Sequence, residues 1–92
     1  MLIINNITVA LYVASVTGNQ FKIIKSDKEG EANFEFDMLN ENYVAKSKFD
    51  KAYKDYKMGY KGDYLDMKKK IDYSLKNKTY SKIARMRANG EL

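Results

Sequence analysis

The sequence predicts an α+β fold: a three-stranded antiparallel sheet (β-β-β) followed by two to three helices packed on one face. Three observations predict it. Apolar residues alternate with period two before residue 40 and recur at helical spacing after it. Turn-forming residues punctuate the first part at short intervals. Finally, 92 residues, 45% of them hydrophobic, with eight Tyr and four Phe, suffice for one small core. Residues 1–92 are therefore expected to form a single domain, with a β-meander over 1–39 and a basic helical part over 40–92.

The first strand is expected over Ile7–Val13, where Ile7, Val9, Leu11 and Val13 alternate with Thr8, Ala10 and Tyr12. β-branched residues at period two favour a pleated strand. Thr17-Gly18-Asn19-Gln20 is a turn signal, and Phe21–Lys25 a second short strand. Asp27-Lys28-Glu29-Gly30 is another turn, in which Gly30 can adopt positive φ without a steric penalty. Ala32, Phe34, Phe36 and Met38 alternate with Asn33, Glu35 and Asp37, giving a third strand with one dry face and one wet, acidic face. Met1–Ile4 is either a lead-in or a further strand folded back at Asn5-Asn6.

After Asn40 the period becomes helical. Ala45, Phe49, Ala52, Tyr53 and Tyr56 fall on one arc, about 100° wide at 3.6 residues per turn. Lysines and aspartates occupy the opposite side. Asn40 or Asn42 is a candidate cap, Glu41 suits the positive helix end, and the helix should stop near Met58-Gly59. Asp63 is a candidate cap for the next helix, whose inward face would be Tyr64, Met67, Ile71, Ser74 and Leu75. A break at Asn77-Lys78-Thr79 would precede a short third helix with Tyr80, Ile83, Ala84 and Met86 inward and Gly90 as its stop.

Composition excludes much chemistry. The chain has no His, Cys, Trp or Pro. Without His or Cys there is no thiolate nucleophile, no imidazole base, no ordinary zinc site and no disulfide. No phosphate loop or dinucleotide fingerprint occurs. Asp63 and Asp66, three apart, are too few ligands for a divalent site. No enzyme activity, cofactor or metal is therefore expected. The apolar stretch Leu2–Val16 is short for a membrane span and is interrupted by Asn5, Asn6 and Thr8, and no Lys or Arg precedes Lys22 as a signal peptide would need. The expectation is an intracellular, cytoplasmic protein with no membrane partner.

Charge is unevenly placed. Residues 1–39 carry three Lys against five acids, whereas residues 40–92 carry fourteen basic residues against seven acids and seven of the eight Tyr. Such a half can neutralise phosphates, and exposed Tyr can stack on unpaired bases. The candidate contacts are Lys61, Lys68, Lys69, Lys70, Tyr73, Lys76, Lys78, Lys82, Arg85 and Arg87. Lysines track a backbone and read little sequence, so binding would be weakly specific. The expected partner is a nucleic acid or nucleoprotein complex. An acidic protein surface would answer the same field. Against both stands an ordinary solvated helix face, laced by the i,i+4 pairs Asp50–Lys54, Asp66–Lys70 and Asp72–Lys76.

Thr79-Tyr80-Ser81-Lys82-Ile83-Ala84-Arg85 resembles the first helix of a helix-turn-helix module, but only eight residues follow Ala84, too few for a reading helix. Tyr12-Val13 with Gly18–Ile23 resembles the opening hairpin of GIY-YIG nucleases, but the second motif lacks its Tyr and Gly, and no Arg occurs before Arg85. The small size, the missing catalytic side chains and the Lys/Tyr/Asn-rich composition resemble the early proteins of phages and mobile elements, anti-CRISPR proteins among them. That resemblance implies an inhibitor that binds and blocks a host protein such as a nuclease complex, acting in the host cell.

Overall fold

Residues 7–17 form a helix, in contrast to the strand that their alternation predicts. The computed structural model describes residues 1–92, with the order β1 (Leu2–Ile4), α1 (Ile7–Thr17), β2 (Lys22–Lys25), β3 (Ala32–Phe36), α2 (Asn40–Lys57), α3 (Gly62–Lys69) and α4 (Tyr73–Ala88). Asn6 caps α1: its Oδ1 accepts from the backbone N–H of Thr8 at 2.9 Å and of Val9 at 3.3 Å. Gly18 closes it at φ +74°, donating its N–H to the Ala14 carbonyl at 2.9 Å. Between these ends Val9–Ala14 are all buried. A helix buried on every side has no polar stripe, so its sequence lacks the 3.6-residue period. The alternate residues Ile7, Val9, Leu11 and Val13 fall on opposite faces of this helix, and both faces are dry.

The sheet nevertheless has three antiparallel strands, because Leu2–Ile4 supplies the missing one. The strand order is β1-β3-β2, so β3 is central. Leu2 faces Phe36 and Ile4 faces Phe34 across β1–β3, and Ile23 faces Phe34 across β2–β3. These side chains share the inner face, where the Phe21 ring meets Phe34 edge-on at 5.3 Å. Ile3, Lys22, Asn33 and Glu35 point the other way. The alternation expected of the third strand holds from Ala32 to Phe36. Met38 lies beyond the strand and is exposed. Gly30 takes the positive φ of +78° that its turn requires.

The helical half differs from expectation in its breaks. Neither Asn40 nor Asn42 caps α2; the cap position is Leu39, with no side-chain bond. Asn42 is instead fully buried, donating from Nδ2 to the Asp37 carbonyl at 3.0 Å and accepting from Asn19 Nδ2 at 2.8 Å. Those bonds fasten the α1–β2 loop to the start of α2. Ala45, Phe49 and Ala52 are buried as predicted, and Phe49 lies 5.1 Å from the Tyr12 ring. Asp63 sits in the first turn of α3 without capping it. The chain breaks at Lys70–Asp72 rather than at Asn77–Thr79. Asp72 starts α4, its Oδ1 accepting from the N–H of Ser74 at 2.8 Å and of Leu75 at 3.4 Å. Thr79 does not interrupt α4, because its hydroxyl donates to the Leu75 carbonyl at 2.8 Å and the residue is buried. The inward stripe is therefore Leu75, Thr79, Ile83 and Met86, whereas Tyr80 and Ala84 are exposed.

One core joins the parts: β1, α1, β3, Ala45 and Phe49 of α2, Ile83 of α4, and Leu92. Leu92 is held where its carbonyl accepts from the Gly30 N–H at 3.3 Å and Arg87 Nε donates to the Gly30 carbonyl at 2.9 Å. No helix is long and apolar enough to cross a membrane.

Candidate nucleic-acid interface

Lys46 is the one cation of the seventeen that reaches a carboxylate, that of Asp50 one turn on. None of the three i,i+4 pairs expected from the sequence forms. Asp50 reaches back to Lys46, and Asp72 is used as a cap. Apart from Lys46, the cations of the helical half make no ion pair with a carboxylate.

The orientation of α4 decides where that charge lies. With Leu75, Thr79, Ile83 and Met86 inward, successive residues turn by about 100° and the other side chains sort into two flanks. Tyr73, Lys76, Tyr80 and Arg87 share one. Lys78, Lys82 and Arg85 share the other. The crest between them carries Asn77, Ser81, Ala84 and Ala88, none of them charged. The basic helical face expected from the sequence is therefore divided along α4.

The first flank combines rings with cations. Tyr73 is 74% exposed and Tyr80 47%. Tyr80 and Arg87 line a shallow cleft of about 560 Å³ whose far wall is Asn5, Ile7 and Glu31. The Nε–H bond to Gly30 fixes the Arg87 guanidinium and leaves its terminal nitrogens free to meet an anion. Lys69 and Lys70 precede Tyr73 by four and three residues at the α3–α4 elbow. With Lys68 they sit at the C-terminal end of α3, whose dipole favours cations there.

Lys61 and Lys68 belong to a third group. Tyr53, Tyr56 and Tyr64 pack as a ring cluster, with Tyr56 and Tyr64 centroids 4.7 Å apart. Lys57 lies 4.5 Å from the Tyr53 centroid, Lys68 5.6 Å from Tyr64 and Lys61 6.0 Å from Tyr56. Burial pushes the Tyr64 hydroxyl pKa up, and the neighbouring Tyr53 and Tyr56 hydroxyls raise it further. Sequence reasoning assigned these rings to core stripes. The signal for the cluster was the repeated Tyr–Lys spacing of four, at 53/57 and 64/68, which seats an ammonium over a ring one helical turn back.

The second flank faces β2. Lys78, Lys82 and Arg85 form the wall of a groove made by two adjoining clefts of about 410 and 660 Å³, which share Gln20, Phe21, Ile23 and Lys82. Lys22, outside the cations expected to act, lines the same groove. No three His, Cys, Asp or Glu side chains converge to hold a metal ion. The chain matches no protein-family model, no curated protein and no solved structure in these comparisons.

Proposed function

We propose that this is a non-enzymatic binding protein whose helical half holds the phosphate backbone of a nucleic acid, free or within a nucleoprotein complex. The observation that carries the reading is the first flank of α4, where exposed Tyr73 and Tyr80 alternate with Lys76 and Arg87 and continue into unpaired Lys68, Lys69 and Lys70. Cations spaced along a helix and its elbow track phosphates, and the rings between them offer faces on which unpaired bases stack. Nothing in this arrangement reads base edges, so binding is tolerant of sequence.

Fluorescence anisotropy with a single-stranded oligonucleotide over a salt series tests it. Affinity should fall linearly with salt on logarithmic axes, by about 0.7 in slope per phosphate neutralised. Lys68/Lys69/Lys70→Gln should weaken binding and flatten that slope while leaving the circular dichroism unchanged. Tyr73→Ala should cost about 1–3 kcal/mol if a base stacks there. Unchanged low-salt affinity in the triple variant would remove this surface from the reading.

A second reading is an inhibitor or adaptor that docks on an acidic lobe of a host nuclease complex. The cationic groove beside an edge strand favours it. A pull-down from nuclease-treated host extract separates the two: a partner that disappears with the nucleic acid belongs to the first, and a protein retained at high salt to the second.

A further inference from the structure

The groove on the second flank of α4 runs along a strand edge that has no partner. β2 pairs with β3 alone. Gln20, Phe21, Lys22, Ile23 and Ile24 all line the larger cleft. Successive strand residues point to opposite faces of a sheet, so a cavity that touches each of them lies against the strand's edge.

The backbone along that edge is open. The Ser26 N–H donates to the Glu31 carbonyl at 3.2 Å, one step beyond the Lys25↔Ala32 pair. Hydrogen-bonded and non-bonded pairs alternate in an antiparallel ladder. Ser26, Ile24 and Lys22 therefore bond β3, and Ile23 and Lys25 turn their N–H and C=O groups outward. No turn, loop or cap bond takes those groups. Unpaired edge groups of this kind template another strand.

The opposite wall says what that strand should carry. Lys78, Lys82 and Arg85 face the edge, Lys22 lies on the strand itself, and Glu91 at one end is the only carboxylate. Lys78 and Lys82 are about 6 Å apart along the helix, close to the rise of about 6.8 Å between alternate strand residues. Acidic side chains at every second position of an added strand would meet successive cations.

We propose that the groove takes an extended acidic peptide from a partner protein as a fourth strand, giving the order β1-β3-β2-partner. This goes beyond the nucleic-acid reading and uses the opposite flank of α4. Charge complementarity selects the occupant. A second copy adding its own β2 would set Lys-Ile-Ile-Lys against itself, with like charges opposed. A phosphodiester backbone would satisfy the cations, but it offers only acceptors along this edge and would leave the outward carbonyls of Ile23 and Lys25 without donors. A peptide backbone supplies both.

The test uses the whole protein and a synthetic peptide of about eight alternating Glu and Val residues, one strand in length. Heteronuclear NMR should place the largest amide shifts in β2. Hydrogen exchange should slow at Ile23 and Lys25. A peptide of the same charge, N-methylated at alternate residues, should bind at least about tenfold more weakly, because it keeps the electrostatics and loses the ladder. Lys78/Lys82/Arg85→Gln should weaken the parent peptide by a similar factor with the fold intact, and Lys68/Lys69/Lys70→Gln, which removes the same charge elsewhere, should weaken it much less. The proposal fails if the N-methylated peptide binds as well as its parent, or if Ile23 and Lys25 gain no protection. It also fails if an oligonucleotide produces the same protection, or if the protein dimerises through β2. Because the oligonucleotide and peptide assays respond to different substitutions, loss of one reading leaves the other standing.

Discussion

α1 and α4 begin in the same way and end up in opposite environments. Each starts with an Asx side chain accepting from two backbone N–H groups, Asn6 in one case and Asp72 in the other. From there α1 enters the core with six consecutive buried residues and no charge, whereas α4 buries one stripe and carries five cations. The difference divides labour. α1 is the element on which the sheet and the other helices pack, and α4 can afford two unneutralised flanks because little of the core depends on its solvent-facing sides.

The sharpest test of that contrast is a matched truncation. Leu11 on α1 is 1% exposed, and Leu11→Ala should cost about 2–5 kcal/mol, the lost transfer free energy of the side chain plus the cavity it leaves. Leu75 on α4 is only half-buried, so Leu75→Ala should cost closer to 1 kcal/mol. Urea midpoints with a common m-value would measure both. Equal losses would mean that α4 is as much a part of the core as α1.

The same contrast explains what could be foreseen from the sequence. The α+β class, the wet and dry faces of Ala32–Phe36, and the buried side of α2 at Ala45, Phe49 and Ala52 were legible because each element is half-buried and shows its period. α1 was not, because burial on all sides erases the period and leaves β-branched alternation that imitates a strand. The punctuation was nevertheless present: an Asn cap at residue 6 and a Gly at 18 bracket a run of eleven residues, long for a strand. On α4 the misleading residue was Thr79, read as a breaker although its hydroxyl bonds one turn back inside the helix. That error rotated the helical wheel. With Tyr80 and Ala84 taken as inward, Lys78 and Lys82 could not be assigned to the β2 side. Residue types at the candidate interface were thus visible in advance, and their division between two flanks was not. The open edge of β2 depends on Leu2–Ile4 taking the far side of β3, a topological fact that no local pattern encodes.

The capping groups give a smaller test of the same comparison. Asn6→Ala and Asp72→Ala should each cost about 1 kcal/mol. The consequences should differ in reach. Loss of the Asn6 cap should lower the global unfolding free energy, because α1 opens only when the core does. Loss of the Asp72 cap should appear mainly as faster amide exchange over the first turn of α4, with the Ser15 hydroxyl still accepting from the residue 72 N–H. If Asp72→Ala shifts the global midpoint as far as Asn6→Ala, the first turn of α4 is part of the same cooperative unit as α1.

The smallest effect is expected at Tyr64, which packs against Phe49 and shares a small cleft with Asn6, Thr8 and Val9 at the start of α1. Its hydroxyl titrates above the ordinary value of 10.0, chiefly because burial penalises the phenolate. In the unfolded chain it ionises at the ordinary value. Below that pH the ring is neutral in both states, and the packing contributes fully to stability. As pH rises through the unfolded value the unfolded state loses its proton first and binds fewer protons than the folded state, so stability falls until the folded group also ionises. Tyr64→Phe has no proton to lose. It should therefore match the wild type in urea midpoint near neutral pH and exceed it at alkaline pH. A Tyr64→Phe profile parallel to the wild type across the alkaline range would show that the dry environment created by α1 does not extend to the tyrosine cluster.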